Sequence, residues 1–229
     1  DKALEIMQRE DGGLRKFANA MRQKAGSYKN GGDLNSALIA VNAANETDPD
    51  HIYSKLFSGY INLELGNHDE AIKNVNTFVE IERQSDTGEN QASQWWTGGA
   101  SIFAQLGIIH NYTNYCNKMF ERFPSPSQKS TFERVGKGAL MMQAGPRQIE
   151  VSRDYVLKAL EGTPRGGGFY PWFCFAAGLG EYRSSNLKEA ERYCKESISN
   201  SRETHLHHSG LNNALLSLIY FKTNRQSES

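Results

Sequence analysis

Residues 51–83, HIYSKLFSGYINLELGNHDEAIKNVNTFVEIER, contain two stretches of helical periodicity separated by Gly66-Asn67. Each stretch repeats apolar or small side chains at the three- and four-residue spacing of one helix face. The two faces comprise Leu56, Gly59 and Leu63 in the first stretch and Ala71, Val75 and Phe78 in the second. Because Gly59 and Ala71 carry almost no side chain, the two helices can approach closely. The pattern predicts a helical hairpin, which needs neighbouring copies to bury its apolar face.

The segment before residue 51 repeats this pattern. Counting from Ala18, the next unit begins at Ile52, a period of 34 residues (52 − 18), so that Ala37 aligns with Ala71. Asp48-Pro49 ends the second helix, because proline cannot continue it. Five hairpins are expected, over residues 18–51, 52–83, 93–126, 127–162 and 171–202, followed by a terminal helix over residues 206–223. The sequence therefore predicts an all-α fold, a right-handed α-α superhelix (solenoid), as a single domain over residues 1–229.

Three stretches depart from the repeated pattern. Polar residues 85–90 predict a lengthened surface loop, and residues 162–168 predict a flexible connector that is too rich in glycine for a helix. In the third hairpin Tyr112 replaces the alanine of the second helix. We therefore expect the close contact between these helices to involve Gly99 and Ala100.

The fourth hairpin and the terminal helix have less regular apolar faces. The expected inner residues are Phe132, Val135, Ala139 and Met142 in one helix of this hairpin, Val151, Tyr155, Val156 and Ala159 in the other, and Leu211, Ala214, Leu215, Leu218 and Phe221 in the terminal helix. The sequence leaves open whether the terminal helix caps the stack or forms half of a further hairpin.

Composition argues against two classes of partner. The chain has 26 basic and 26 acidic side chains, so it has no net field that would attract a nucleic-acid backbone or an anionic membrane. Its longest apolar runs fall far short of the roughly 20 residues of a membrane-spanning helix.

Cys116, Cys174 and Cys194 form no C-x-x-C pair and lie within helical patterns. We expect reduced, packed thiols and a cytoplasmic location.

No residue pattern in the chain predicts catalysis, a cofactor or a metal. His205, His207 and His208 lack the cysteine or carboxylate pair that would complete a tetrahedral site, so a solvated helix start is expected instead. The glycines at 166–168 lack the Lys-Ser/Thr of a phosphate-binding loop, and those at 178 and 180 lie within a helical pattern. The cysteines carry no activating-base signature and are expected in the core. We expect a noncatalytic protein.

The 34-residue period resembles the tetratricopeptide repeat (TPR), and its best matches are Trp96, Gly99-Ala100, Phe103, Gly107 and Pro124. More narrowly, segments 95–107, 112–116, 119–123, 133–135 and 178–183 resemble the helical region that is C-terminal to serine/threonine kinase or WD-repeat domains in planctomycete signalling proteins. The first resemblance implies a protein-binding solenoid. The second implies an accessory module, and Asp1 in place of an initiator Met also leads us to expect a piece of a longer protein.

In a TPR-like solenoid the first helices of successive hairpins line a concave groove. The template places there Asn19, Arg22, Lys29, Tyr53, Leu56, Tyr60, Gln94, Thr97, Trp172, Phe175 and Arg183. Aromatic and Arg side chains are enriched at binding hot spots, so we expect an extended peptide or a partner helix as the ligand. The aromatic residues could equally pack against neighbouring helices. Two other hypotheses stay open: a regulatory C-terminal domain of a larger serine/threonine kinase or other signalling enzyme, and self-association through the ends of the stack.

Overall fold

The structure is a computed structural model that describes residues 12–143, 145–201 and 206–225. These residues form eleven helices and no strand. The chain divides into two compact units, Asp1–Thr87 and Gly88–Ser229. Unit 1 contains α1 (Gly13–Asn30), α2 (Leu34–Thr47), α3 (Ile52–Glu64) and α4 (His68–Glu82). Unit 2 contains α5 (Glu89–Leu106), α6 (Ile109–Arg122), α7 (Lys129–Gly138), α8 (Pro146–Leu160), α9 (Tyr170–Arg183), α10 (Leu187–Ser199) and α11 (Leu206–Lys222). The expected five hairpins and terminal helix are confirmed.

Unit 1 consists of two hairpins, α1–α2 and α3–α4. Gly32 and Gly66 adopt positive φ angles of 83° and 79° at the two turns, a conformation that glycine reaches without steric cost. The Asp33 carboxylate accepts a hydrogen bond from the Ser36 N–H and so caps α2. One cluster of the unit 1 core packs mainly small residues from α1, α2 and α3, namely Ala25, Ala37, Ala40, Val41 and Ile61. Helix α1 begins at Gly13, five residues before the expected start (18 − 13).

The third hairpin, α5–α6, is built around an aromatic cluster. Helix α5 begins at Glu89, so the preceding loop is shorter than the sequence suggested. Gly99 allows the close contact, as expected, and the Tyr115 ring fills the space beside it. A Cβ atom on Gly99 would lie 2.1 Å from Tyr115 Oη. The Tyr115 hydroxyl donates to the Trp96 carbonyl at 2.9 Å, which fixes the ring across α5.

The fourth hairpin, α7–α8, contains a short first helix. Helix α7 ends at Gly138, so the expectation that Met142 is helical is wrong. The chain then runs through an irregular stretch whose backbone groups bond to side chains from elsewhere in unit 2; we call Gly138–Met142 the braced segment. Four of its carbonyls accept side-chain hydrogen bonds: Gly138 from Tyr112 Oη (2.6 Å), Ala139 from Gln148 Nε2 (3.3 Å), Leu140 from Arg183 Nε (3.1 Å) and Met141 from Arg183 Nη2 (2.9 Å). These bonds replace the helical hydrogen bonds that the early end of α7 removes.

The terminal helix α11 packs against the fifth hairpin, α9–α10, through a face that the sequence did not predict. Its buried residues are His208, Asn212, Leu215, Leu216, Ile219 and Tyr220. Of the five expected inner residues only Leu215 is buried, and the other four are exposed. Hydrophobicity alone was misleading here, because the buried face includes a histidine and an asparagine that form hydrogen bonds. No helix within the described ranges is both long and apolar enough to cross a membrane.

Candidate partner-binding surfaces

In unit 1 the predicted binding residues lie on the two first helices, α1 and α3. Arg22 connects them: its Nη2 donates to Asn19 Oδ1 at 2.7 Å and to Asp48 Oδ2 at 3.0 Å, and its Nη1 donates to Ser54 Oγ at 3.3 Å. The Arg22 side chain is largely buried by these contacts. It therefore acts first as a structural link between α1, the α2–α3 connection and α3.

His51 completes this polar cluster at the start of α3. Its Nδ1 lies 2.8 Å from Ser54 Oγ and accepts from the Ser54 N–H, so the imidazole caps the helix. Burial lowers the pKa of His51, and the positive charge of Arg22 lowers it further, against an opposing contribution from Asp48. The imidazole is therefore held in its neutral form near pH 7, which suits its role as an acceptor at the helix start.

The exposed part of this surface is aromatic. Tyr53 is 41% exposed, and its ring stacks on Phe57 with centroids 5.8 Å apart. Tyr60 is half-buried, and Lys29 forms an ion pair with Glu64 at 2.7 Å. Leu56 is only 1% exposed and belongs to the core, so a partner cannot reach it in this arrangement. We define the first-helix surface of unit 1 as the accessible part of Asn19, Arg22, Lys29, Tyr53 and Tyr60.

In unit 2 the predicted binding residues are less accessible, apart from Gln94, which is exposed on α5. The Thr97 hydroxyl lies 2.8 Å from the Ser93 carbonyl and 3.0 Å from the Arg134 carbonyl, at the contact between α5 and α7. Arg183 donates to two carbonyls of the braced segment. Thr97 and Arg183 therefore stabilise helix packing.

Trp172 and Phe175 pack around His208. The imidazole centroid lies 4.3 Å from the Trp172 ring and 6.2 Å from the Phe175 ring. Its Nε2 lies 3.2 Å from Ser197 Oγ, and its Nδ1 lies 3.1 Å from Ser201 Oγ. The expected solvated helix start is therefore wrong for His208, which is fully buried. His205 and the His207 side chain lie outside the described residues. Within the part of the chain that the structure describes, no three His, Cys, Asp or Glu side chains form a group that could hold a metal ion.

A cleft of about 690 Å³ lies beside α6 and the start of α8, on the second helices of hairpins three and four. No pattern in the sequence predicted this cleft. Its lining residues are Thr113, Asn117, Phe120, Glu121, Gly145, Pro146, Arg147, Gln148 and Val151. The sequence did contain one relevant signal, Gly145-Pro146. Proline is favoured at the first position of a helix, so this pair marks the start of α8, which forms one side of the cleft.

The structure is similar to several solved structures. PilW, a type IV pilus biogenesis factor, matches with a TM-score of 0.59 and 16% identity over 92% of this chain and 89% of PilW. A tetratricopeptide repeat protein from Parabacteroides merdae matches with a TM-score of 0.57 and 16% identity over 93% of this chain and 76% of that protein. The fold is that of tetratricopeptide-repeat proteins.

A third TPR structure is YrrB, described as having an unusual peptide-binding site. It matches with a TM-score of 0.51 and 12% identity over 90% of this chain and 93% of YrrB. No family model and no curated protein matches the chain. Likeness at these identities establishes the TPR-like fold and nothing finer, so the narrower resemblance to planctomycete signalling proteins stays a prediction.

Proposed function

We propose that this protein is a noncatalytic interaction module that binds a peptide or a partner protein through the first helices of its hairpins. The observation that carries the proposal is Tyr53, an exposed aromatic ring stacked on Phe57 beside the Arg22 cluster. A ring that is already held by a neighbour loses little conformational freedom when a ligand covers it, which favours binding. Tyrosine and arginine are also the side chains enriched at binding hot spots.

The charge of α1 favours an acidic ligand. This helix carries five basic residues, Arg15, Lys16, Arg22, Lys24 and Lys29, and no acidic residue. Arg22 pairs with Asp48 and Lys29 pairs with Glu64, so the surplus positive charge of α1 rests on Arg15, Lys16 and Lys24. An acidic peptide with an apolar or aromatic residue would meet both the positive charge of α1 and the Tyr53 ring. Such binding should weaken as the salt concentration rises, because exposed charges are screened.

A matched pair of variants tests the proposal. Tyr53→Ala changes an exposed aromatic residue on α3, the first helix of the second hairpin. Ile39→Ala changes an exposed apolar residue on α2, the second helix of the first hairpin. Both variants and the unchanged protein would be applied to an array of acidic, aromatic-containing peptides at two salt concentrations. We expect Tyr53→Ala to weaken binding about tenfold and Ile39→Ala to leave it unchanged. Equal binding by all three proteins would reject the first-helix surface.

Two finer statements belong to this proposal. The buried, unpaired thiols of Cys116, Cys174 and Cys194 support a cytoplasmic location, because reduced cysteines are usual in that compartment. The resemblance of segments 95–107 and 178–183 to kinase-associated regions supports a second candidate, a regulatory domain of a larger signalling enzyme. The parent gene tests its kinase form: a glycine-rich loop, a lysine-bearing strand and an H-R-D motif upstream of Asp1 would support a kinase, and their absence would reject one.

A further inference from the structure

The outer face of α11 is an apolar surface of regular spacing. We call Leu211, Ala214, Leu218 and Phe221 the α11 stripe; successive members are three, four and three residues apart. Leu211 is 47% exposed, Leu218 is 51% exposed and Phe221 is 67% exposed. This is the a/d spacing with which one helix packs against another along its length. Large apolar side chains repeated at that spacing on an exposed face indicate an interaction surface.

The opposite face of α11 fixes the orientation of the stripe. Leu215, Ile219 and Tyr220 are buried in one apolar core with residues of α9 and α10. His208 is held between α9 and α10 by the Trp172 ring and the Ser197 hydroxyl. A rotation of α11 that buried the stripe would expose this apolar and hydrogen-bonded face. The stripe is therefore a stable feature of the surface.

The stripe is free of charge. Ser209–Phe221 contains no charged residue in a chain that has 52 (26 + 26). The first basic residues beyond it engage groups of their own molecule: Lys222 Nζ lies 4.4 Å from the centre of the Tyr182 ring, and Arg225 pairs with Glu191. A partner surface with charges in this position would have to desolvate them without compensation. An uncharged helix of matching spacing avoids that cost.

We propose that the α11 stripe binds the same stripe of a second copy of this chain, with the two helices antiparallel about a two-fold axis at the level of Leu216. In this arrangement Ala214 of one copy lies opposite Leu218 of the other, and Leu211 lies opposite Phe221. Both pairs follow from the a-to-d layering of antiparallel helices. The small Ala214 leaves room for Leu218, so the stripe is complementary to itself, as a two-fold interface requires. This contact is separate from the first-helix surface and does not depend on the proposed peptide binding.

The size of the stripe sets the strength of this association. Three partly exposed side chains contribute about 300 Å² from each copy, whereas a stable interface buries roughly 800 Å² per partner. We therefore expect a weak dimer that forms only at high protein concentration.

Sedimentation equilibrium over about 10 μM to 1 mM tests this association. We expect the mass to rise from that of a monomer towards that of a dimer. Leu218→Glu places a carboxylate in the contact and should weaken association at least tenfold, while circular dichroism stays unchanged because the side chain is exposed. The matched control is Ile39→Glu, which alters an apolar residue 72% exposed in unit 1 and should leave the dimer intact. A constant monomer mass for the unchanged chain, or an undiminished dimer for Leu218→Glu, would overturn the proposal.

A mixing experiment tests the antiparallel register. Leu218→Glu and Ala214→Lys should each be monomeric alone, because each places two like-charged groups in the contact. An equimolar mixture should recover dimer, since the antiparallel pairing sets Glu at position 218 of one copy against Lys at position 214 of the other. Failure of the mixture to associate, while the unchanged chain dimerises, would reject this register.

Discussion

The third and fourth hairpins, both in unit 2, hold their helices together by different means. In α5–α6 the close approach at Gly99 admits the aromatic ring of Tyr115, which also contacts the rings of Trp96 and Phe103 at centroid distances of 5.2 and 5.3 Å. In α7–α8 the close approach at Gly136 brings two backbones together, with the Ser152 carbonyl 2.8 Å from where a Cβ atom would be. The first contact is with the far end of a side chain that can rearrange, whereas the second includes the fixed backbone of α8 as well as the Val156 side chain.

The two hairpins also differ in the connection between their helices. Helix α5 runs for 18 residues to Leu106 and is followed by a tight turn at Gly107, which has a φ angle of 71°. Helix α7 runs for only 10 residues, and the braced segment after it depends on side chains from α6, α8 and α9. Where the repeat pattern is intact, local turn chemistry suffices. Where it fails, long-range hydrogen bonds satisfy the backbone.

The largest effect expected from this difference between the two hairpins is at Gly136. We expect Gly136→Ala to lower the free energy of unfolding by about 3 kcal/mol, because the added Cβ meets both the short, branched Val156 side chain and the Ser152 carbonyl of the α8 backbone, which cannot move locally. The measurement is chemical denaturation followed by circular dichroism. Gly145→Ala, at a position where a Cβ would meet nothing within 4 Å, is the control. Equal stability of the two variants would contradict the close approach of α7 and α8.

A smaller loss, about 2 kcal/mol, is expected for Gly99→Ala, because the Tyr115 ring can swing away from the added Cβ. Removal of the hydroxyl that lies nearest should relieve part of this cost. Gly99→Ala should therefore be less destabilising in a Tyr115→Phe background than alone, in the same denaturation measurement. Strictly additive effects would show that the ring does not occupy the space at Gly99.

Loss of one brace is expected to cost about 1.5 kcal/mol. Tyr112→Phe removes a buried hydroxyl that donates to the Gly138 carbonyl and accepts from the Met142 N–H at 3.3 Å. Both backbone groups then lack this partner. Hydrogen exchange should show faster exchange of the Met142 amide, with little change in the turn at Gly107. Uniform acceleration across both hairpins would argue against a local role.

At Arg183 we expect a loss of about 1 kcal/mol, since Arg183→Met removes two hydrogen bonds to the braced segment from a side chain that is partly exposed to water. The control is Arg192→Met, which removes surface ion pairs with Glu189 and Glu196 and should cost under about 0.5 kcal/mol. An unchanged denaturation midpoint for Arg183→Met would argue against this structural role and would favour the predicted role of Arg183 in partner binding.

The smallest effect concerns pH and the start of the fourth hairpin. Burial raises the pKa of the Glu89 carboxyl, but the N–H groups of Ser127 and Gln128 and the Ser127 hydroxyl outweigh it and leave the pKa below its usual 4.5. The carboxylate therefore stabilises the fold fully above pH 4.5, and this contribution disappears as the pH falls through the lowered pKa. Glu89→Gln should be about 0.5 to 1 kcal/mol less stable near pH 7 and indistinguishable in strong acid. The test is to measure the free energy of unfolding of both proteins as a function of pH.

The sequence predicted the fold wherever small residues recur at the period of 34. It placed the hairpin turns of unit 1 and the third hairpin correctly because Gly32, Gly66 and Gly107 mark local conformations. It failed at Met142 and at α11, where the decisive interactions come from residues distant in sequence. Nothing in the neighbourhood of Leu140 indicates that Arg183 will bond to it. Likewise, nothing near His208 predicts its burial against Trp172.

The binding surface was predictable only in part. Periodicity assigns residues to a helix face, and Tyr53 lies on an exposed one, as expected. The same periodicity cannot separate a side chain that faces solvent from one that bonds to a neighbouring helix. Arg22, Thr97 and Arg183 were assigned to the groove by position, and all three form hydrogen bonds within the protein. The groove residues stay a prediction that the Tyr53→Ala and Arg183→Met variants can test.

The three buried cysteines give the molecule its own reporters of local opening. Burial raises the pKa of Cys116 to about 12, that of Cys174 to about 11 and that of Cys194 to about 12, so the thiols resist alkylation while their helices stay packed. Cys116 belongs to the third hairpin and the other two belong to the fifth, one hairpin on each side of the braced segment in sequence. The rate at which iodoacetamide modifies each thiol therefore measures how often the helices around it separate, without any engineered label.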